Sequence, residues 1–207
     1  MALTDKPVHE LLAAFSSPSP TPGGGSASAL ASAIGASLLV MVGSLPKTRT
    51  GSEEERTALA AAVDTLKTVA ERLTDAIDAD TAAYDQVVAA YKRPKASASD
   101  QRIRTEEIQK ALRAATDVPL GVMRLSADAL EQATTIAEDG HKSAASDVGV
   151  AVALLGAGLR GASLNVDINL ATVKDEAYAA AVRDEADGHA RRGDSATRVA
   201  EDSLASL

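Results

Sequence analysis

Cysteine is absent from this 207-residue chain, which excludes disulfides, thiolate nucleophiles and cysteine-based zinc sites and fits a reducing compartment. Tryptophan is also absent, phenylalanine occurs once, and aromatics make up 2% of the sequence. Alanine and leucine must therefore fill the core, which suits closely packed helices better than sheets of β-branched residues. The same scarcity leaves little with which to stack a flavin or a nucleotide. Basic residues are outnumbered, 21 Lys and Arg against 29 Asp and Glu, for a net charge of -8. The basic footprint of a nucleic-acid binder is missing. His9, His141 and His189 lie far apart without ligand spacing, so no metal site is expected. The start, "MALTDKPVHELLAAF", carries Asp5, Lys6, His9 and Glu10 where a secretory leader would be apolar. A cytoplasmic location is expected.

What is present is 45% apolar, enough to fold, and the length suits one domain over residues 1–207. No stretch alternates with a two-residue period, and the pattern predicts an all-α bundle of long helices. Helices are expected over Leu3–Phe15, from Gly24 to before Pro46, over Ser52–Tyr91, over Ser99–Ala137 with a bend at Pro119, over Ser143–Val173 and over Asp175–Ser203. The second and fifth are long enough and apolar enough to raise the question of a membrane. Their wealth of Ser, Gly and Ala, with Arg160 inside the fifth, points instead to two central buried helices, so no membrane is expected. Gly149, Ala153, Ala157 and Gly161 recur every four residues, as do Ala27, Ala31 and Gly35, and each set forms a flat face for a neighbouring helix.

The glycine run in "PTPGGGSASA" imitates a phosphate loop. However, Ser26 and Ala27 follow Gly25, the next lysine is Lys47, and no strand precedes it. The nucleotide reading fails. Two readings remain: a tight turn capped by Ser26, or a set of helix N-terminal amides that binds an anion, a carbonyl or a developing oxyanion through Gly23, Gly24, Gly25 and Ser26. In "DAIDADTAAYD", Asp80 falls on the stripe of Leu66, Leu73, Ile77, Tyr84, Val87 and Tyr91, whereas Asp75 and Asp78 point away and are expected in solvent. A carboxylate on an apolar stripe needs a partner, structural or functional. Asn165 and Asn169 share a face, either to fix the donors and acceptors of a heteroaromatic ring or to bond a neighbouring helix. Asp147 stands on the same helix about 27 Å from Asn165 if that helix is straight. A common centre would then require a break near Gly156, Gly158 and Gly161, a long ligand, or a symmetry mate.

The stretches "PTPGGGSASALASAIGASLLVMV", "DADTAAYDQVVAAYKRPK", "RTEEIQKALRAATDVPL", "SDVGVA" and "NVDINL", taken in this order, resemble the cyclodeaminase/cyclohydrolase family that acts on one-carbon tetrahydrofolates. The resemblance runs from about Pro20 to Asp175 and implies an all-helical bundle that dimerises. With no formiminotransferase domain ahead of it, a free-standing enzyme is expected. The activity implied is hydrolysis of 5,10-methenyltetrahydrofolate to 10-formyltetrahydrofolate. The alternative is deamination of formiminotetrahydrofolate with release of ammonia, and a more distant one is a non-catalytic helical interaction protein. The folate is then the substrate, with no separate cofactor. Asp80 or Asp147 would act as base and acid, and His141, where relatives are expected to carry asparagine, would protonate a departing amine. Asn165 and Asn169 would orient the pterin. The glycine-loop amides, with Arg104 or Lys95, would hold a carbonyl or the glutamate tail, and Ser146 of "SDVGVA" joins the substrate-binding set.

Overall fold

Serines and an aspartate at the expected boundaries set where the long helices begin in the computed structural model, which describes residues 2–46 and 51–206. Lys47 lies outside the described residues. Helix α3 (Glu53–Tyr91) and helix α4 (Ala98–Asp139) each open with a reciprocal capping box, Ser52 with Glu55 and Ser97 with Asp100. Asp175 caps α6 (Glu176–Ala205) by accepting the Tyr178 amide. Helices α1 (Val8–Phe15), α2 (Gly24–Gly43) and α5 (Ala145–Leu170) complete the set, the last preceded by a 3-10 turn at Lys142–Ala144, and the described residues contain no strand. The fold is all-α, as expected.

One boundary carries a correction. Helix α1 starts at Val8 rather than Leu3, because Asp78 competes for the chain: the Leu3 amide donates to its Oδ1 at 2.6 Å and the Thr4 hydroxyl to its Oδ2 at 2.8 Å. Asp78 is half-buried as a result and not free in solvent. Helix α4 passes Pro119 without a break. A proline lacks the N–H that would bond the carbonyl four residues back, here that of Ala115, and Asn169 of α5 supplies the missing donor at 2.9 Å.

Helices α2 and α5 lie side by side and antiparallel, α3 flanks α2, and α4 runs behind between α3 and α6. The α2–α5 contact is close because neither helix carries bulk there. A Cβ added at Gly158 would fall 1.9 Å from Ser32 Oγ, one at Gly161 2.3 Å from Ser28 Oγ, and one at Gly35 2.8 Å from the Ala151 carbonyl. Ser32 continues to α4 through the Ser126 hydroxyl at 2.7 Å. The seam is therefore Ser28, Ser32 and Gly35 against Ala151, Gly158 and Gly161. Ala27, Ala153 and Ala157 face outward instead.

That outward face corrects the picture of two helices buried all round. Both α2 and the 142–170 run are long and apolar enough to cross a membrane by length and composition. In the fold each is buried on one side only, leaving Ile34 and Met41 of α2 and Val150, Leu164 and Ile168 of α5 exposed, Ile168 to 70%.

Candidate active site

Helix α2 is shorter than the α3–α4 hairpin and starts at Gly24 beside the middle of α3. Up to Ile77 the α3 stripe is buried beneath it: Leu66, Leu73 and Ile77 are core residues, whereas Tyr84 and Tyr91 beyond its start are exposed. Asp80 stands where the cover ends. The result is a cavity of about 280 Å³ floored by the glycine loop and Asp80, with Tyr84, Val87, Leu112 and Ala115 of the hairpin on one side and Asn165 and Asn169 of α5 on the other.

The glycine loop does bind an anion, and the anion is the protein's own. Ser26 donates both its backbone N–H (2.9 Å) and its hydroxyl (3.0 Å) to Asp80 Oδ2, so the carboxylate takes up one of the amides that a helix N-terminus leaves unpaired and sits at the positive end of the α2 dipole. The Thr81 hydroxyl stands 3.4 Å from that of Ser26. This approach is possible only because Gly25 lacks a side chain, since a Cβ there would lie 2.0 Å from Asp80 Oδ1. Ser26 is fully buried, so its polar groups serve Asp80 and do not face a ligand. Among the described residues no donor meets Oδ1, which is left to the cavity.

The two amides are similarly half-committed. Asn165 donates Nδ2 to the Gly161 carbonyl of its own helix at 2.8 Å, and Asn169 to the Ala115 carbonyl. Gly24 leaves room for Asn165, because a Cβ there would come 3.4 Å from its Nδ2. With one N–H engaged, each amide keeps its second N–H and its carbonyl oxygen. The polar lining thus combines one carboxylate oxygen with two amide groups and the side chains of Thr21 and Tyr84. It suits a cationic ligand that carries both hydrogen-bond donors and acceptors.

Seven of the residues singled out in the sequence meet at this place: Gly23, Gly24, Gly25, Ser26, Asp80, Asn165 and Asn169. The other five do not. Helix α5 is unbroken from Ala145 to Leu170 despite its glycines, so Asp147 and its neighbour Ser146 stay about 27 Å away along the axis. Ser146 is exposed there. His141 caps the 3-10 turn, its Nδ1 2.8 Å from the Ser143 hydroxyl. Lys95 lies in the α3–α4 turn, where its carbonyl accepts from Gln101. Arg104 closes the C-terminus of α3 by donating Nε and Nη2 to the Tyr91 carbonyl at 3.2 and 3.0 Å.

Tyr84 and Val87 were visible in sequence as members of the Asp80 stripe. Leu112 and Ala115 were not, because nothing local tells which face of α4 turns to the cavity. A larger cavity of about 460 Å³ lies between the N-terminal segment and α2, but no acidic side chain lines it.

Comparison with known proteins bears on this geometry. The sequence profile of the formiminotransferase-cyclodeaminase family matches residues 7–188. A methenyltetrahydrofolate cyclohydrolase of Methylorubrum extorquens is 36% identical over 150 residues, covering 72% of each chain. The formimidoyltransferase-cyclodeaminase of Sus scrofa is 30% identical over 179 residues, which are 86% of this chain but 33% of that much longer protein. A crystal structure of formiminotetrahydrofolate cyclodeaminase from Thermotoga maritima superposes with a TM-score of 0.87 at 26% identity, covering 98% of this chain and 97% of the other.

Proposed function

The chain belongs to the formiminotransferase-cyclodeaminase family, and from this premise we propose that it is a methenyltetrahydrofolate cyclohydrolase. The observation that carries the reading is the Asp80 carboxylate, fixed through one oxygen by Ser26 with the other turned to the cavity. Methenyltetrahydrofolate presents a cationic amidinium carbon between N5 and N10. Beside it a carboxylate stabilises the bound cation, then accepts a proton from the attacking water. The water oxygen joins the amidinium carbon, the bond from that carbon to N5 breaks, and N5 takes up a proton. The carbon remains on N10 as a formyl group, with one proton released per turnover. Asp80 alone can serve both transfers if it returns to N5 the proton it took from water. The amide oxygens of Asn165 and Asn169 accept from the pterin N–H groups and hold the ring.

The deaminase reading is supported by the Thermotoga maritima neighbour, whose name is that of a cyclodeaminase. That reaction needs a group to protonate the departing amine. His141 was the residue suited to it, and within one chain it caps a turn at the far end of α5.

In this reading the protein is cytoplasmic, uses no cofactor beyond its folate substrate, and binds neither nucleic acid nor a membrane. The apolar face of α2 and α5, with Ile34, Met41, Val150, Leu164 and Ile168 exposed, is covered by a second copy of the chain in a homodimer. The test of activity is the decay of methenyltetrahydrofolate's near-ultraviolet absorbance on adding protein. Acceleration above the spontaneous rate with 10-formyltetrahydrofolate as product is expected. Production of the methenyl compound and ammonia from formiminotetrahydrofolate, without such acceleration, assigns the deaminase instead.

A further inference from the structure

The cavity does not end at its outermost lining residues. On α3 the positions Asp80, Tyr84, Val87 and Tyr91 follow one another at steps of four, three and four residues, and on α4 Ala115, Leu112, Ile108 and Arg104 run back at steps of three, four and four. Such steps keep each set on one helix face, so the two rows run together toward the tip of the hairpin. Val87 and Leu112 are the last members that line the cavity. The next rung outward is Tyr91, 48% exposed, with the Arg104 guanidinium 5.6 Å above its ring.

Arg104 is held there twice, by its two hydrogen bonds to the Tyr91 carbonyl and by stacking on the ring. Those bonds use two of the five N–H donors of a guanidinium. No carboxylate of the described residues pairs with it, although neighbouring Arg102 pairs with Glu106. In a chain with an acidic excess, a guanidinium fixed in place with donors to spare is suited to an anion from outside.

Resting on the folate reading above, we infer that Tyr91 and Arg104 form a subsite for the benzoylglutamate tail, the ring lying along Tyr84 and Tyr91 and a glutamate carboxylate on Arg104. The lengths agree. From Asp80 to Tyr91 the helix rises about 16 Å. From the reacting carbon to a glutamate carboxylate, an extended tail spans ~13 Å by its bond lengths, and that carbon sits ~3 Å beyond Asp80 when poised for attack. Lys92 and Lys95, in the turn beside Tyr91, add positive charge at the same end.

The experiment compares methenyltetrahydrofolate with methenyltetrahydropteroate, which has the aminobenzoyl ring but no glutamate, on wild type, Arg104→Gln and Arg104→Lys. Wild type is expected to prefer the glutamate-bearing substrate by about tenfold in kcat/KM, through KM. Arg104→Gln removes most of that preference, and Arg104→Lys, which keeps the charge without the fork, retains part of it. Thermal melts of the three proteins account for any loss of folding. Equal loss on both substrates, with the preference intact, overturns the subsite and leaves Arg104 as a helix cap only. Absence of preference in wild type overturns it as well. If wild type turns over neither compound while folded, it is the cyclohydrolase reading that falls, and the subsite for this substrate with it.

Discussion

Asp78 and Asp80 are two residues apart on α3, and each accepts a backbone N–H from a distant segment, yet the two carboxylates end in different states. Both oxygens of Asp78 are occupied, Oδ1 by the Leu3 amide and Oδ2 by the hydroxyl and amide of Thr4. Only Oδ2 of Asp80 is occupied, by Ser26. Because helix positions two apart point in different directions, one aspartate ties down the N-terminal segment while the other looks into the cavity. A saturated carboxylate holds structure together. One with a bound oxygen for aim and a free oxygen for chemistry can act on a substrate.

Replacing Asp80 by Asn tests the active half of this contrast. The amide can still accept from Ser26, but it cannot take a proton from water or balance a cation. Turnover of methenyltetrahydrofolate is expected to fall by about 10²- to 10⁴-fold, with the thermal midpoint nearly retained. Activity within a factor of a few of wild type would remove Asp80 from the mechanism.

Gly25→Ala asks whether placement matters as much as charge. The new Cβ would meet both carboxylate oxygens and Cγ of Asp80 within 2.8 Å, and so short a side chain escapes only by giving up its bonds to Ser26. A loss of about 10²-fold in kcat is expected, with a stability cost of about 1–3 kcal/mol from overpacking. If crystals of the variant showed the carboxylate still on Ser26, or if kcat were unchanged, the glycine would be dispensable for the site.

How much of this was open to sequence reading differs between fold and site. The helices were legible because each carries its own period and its own caps, such as Ser52 with Glu55 and Ser97 with Asp100. Asp80 was legible because a carboxylate interrupts an apolar stripe. Its partner was not, since Ser26 lies 54 residues away and only the packing of α2 on α3 brings them together. Asn169 shows the same limit. It was read as a pterin contact or a helix-to-helix bond, and it makes such a bond, to a carbonyl freed by a proline on another helix. The exposed face of α5 misled for a physical reason: glycine and alanine at four-residue spacing mark two faces of that helix, and only the one bearing Gly158 and Gly161 meets α2.

For the structural half of the contrast, Asp78→Asn is expected to leave turnover intact and to cost about 1–2 kcal/mol of stability near neutral pH. The pH dependence carries the sharper signature. Burial raises the pKa of Asp78, but the hydrogen bonds from the Leu3 amide and the Thr4 hydroxyl and amide outweigh it, and the net effect holds the carboxyl below its ordinary value. A pKa lower in the folded than in the unfolded chain gives stability that is complete above the unfolded value of about 4 and is lost as pH falls through the folded one. Urea titrations should show the gap between wild type and variant close between pH 5 and pH 2. A gap of constant size over that range would mean that Asp78 contributes through packing and not through its charge.

The smallest effect is expected from Asp147→Asn, and it tests the distance that separates the ends of α5. Within one chain the unbroken helix keeps Asp147 about 27 Å from Asn165, too far for both to act on one carbon. Turnover within about twofold of wild type is expected, because a half-exposed side chain in a first helical turn contributes only a fraction of a kcal/mol through the helix dipole. A loss approaching that of Asp80→Asn could not arise inside one chain. It would require a second copy, docked on the apolar face of α2 and α5, to bring its own Asp147 to the cavity. Mixing Asp80→Asn with Asp147→Asn protein would then restore activity, since half of the sites in a mixed dimer would combine an intact Asp80 with an intact Asp147.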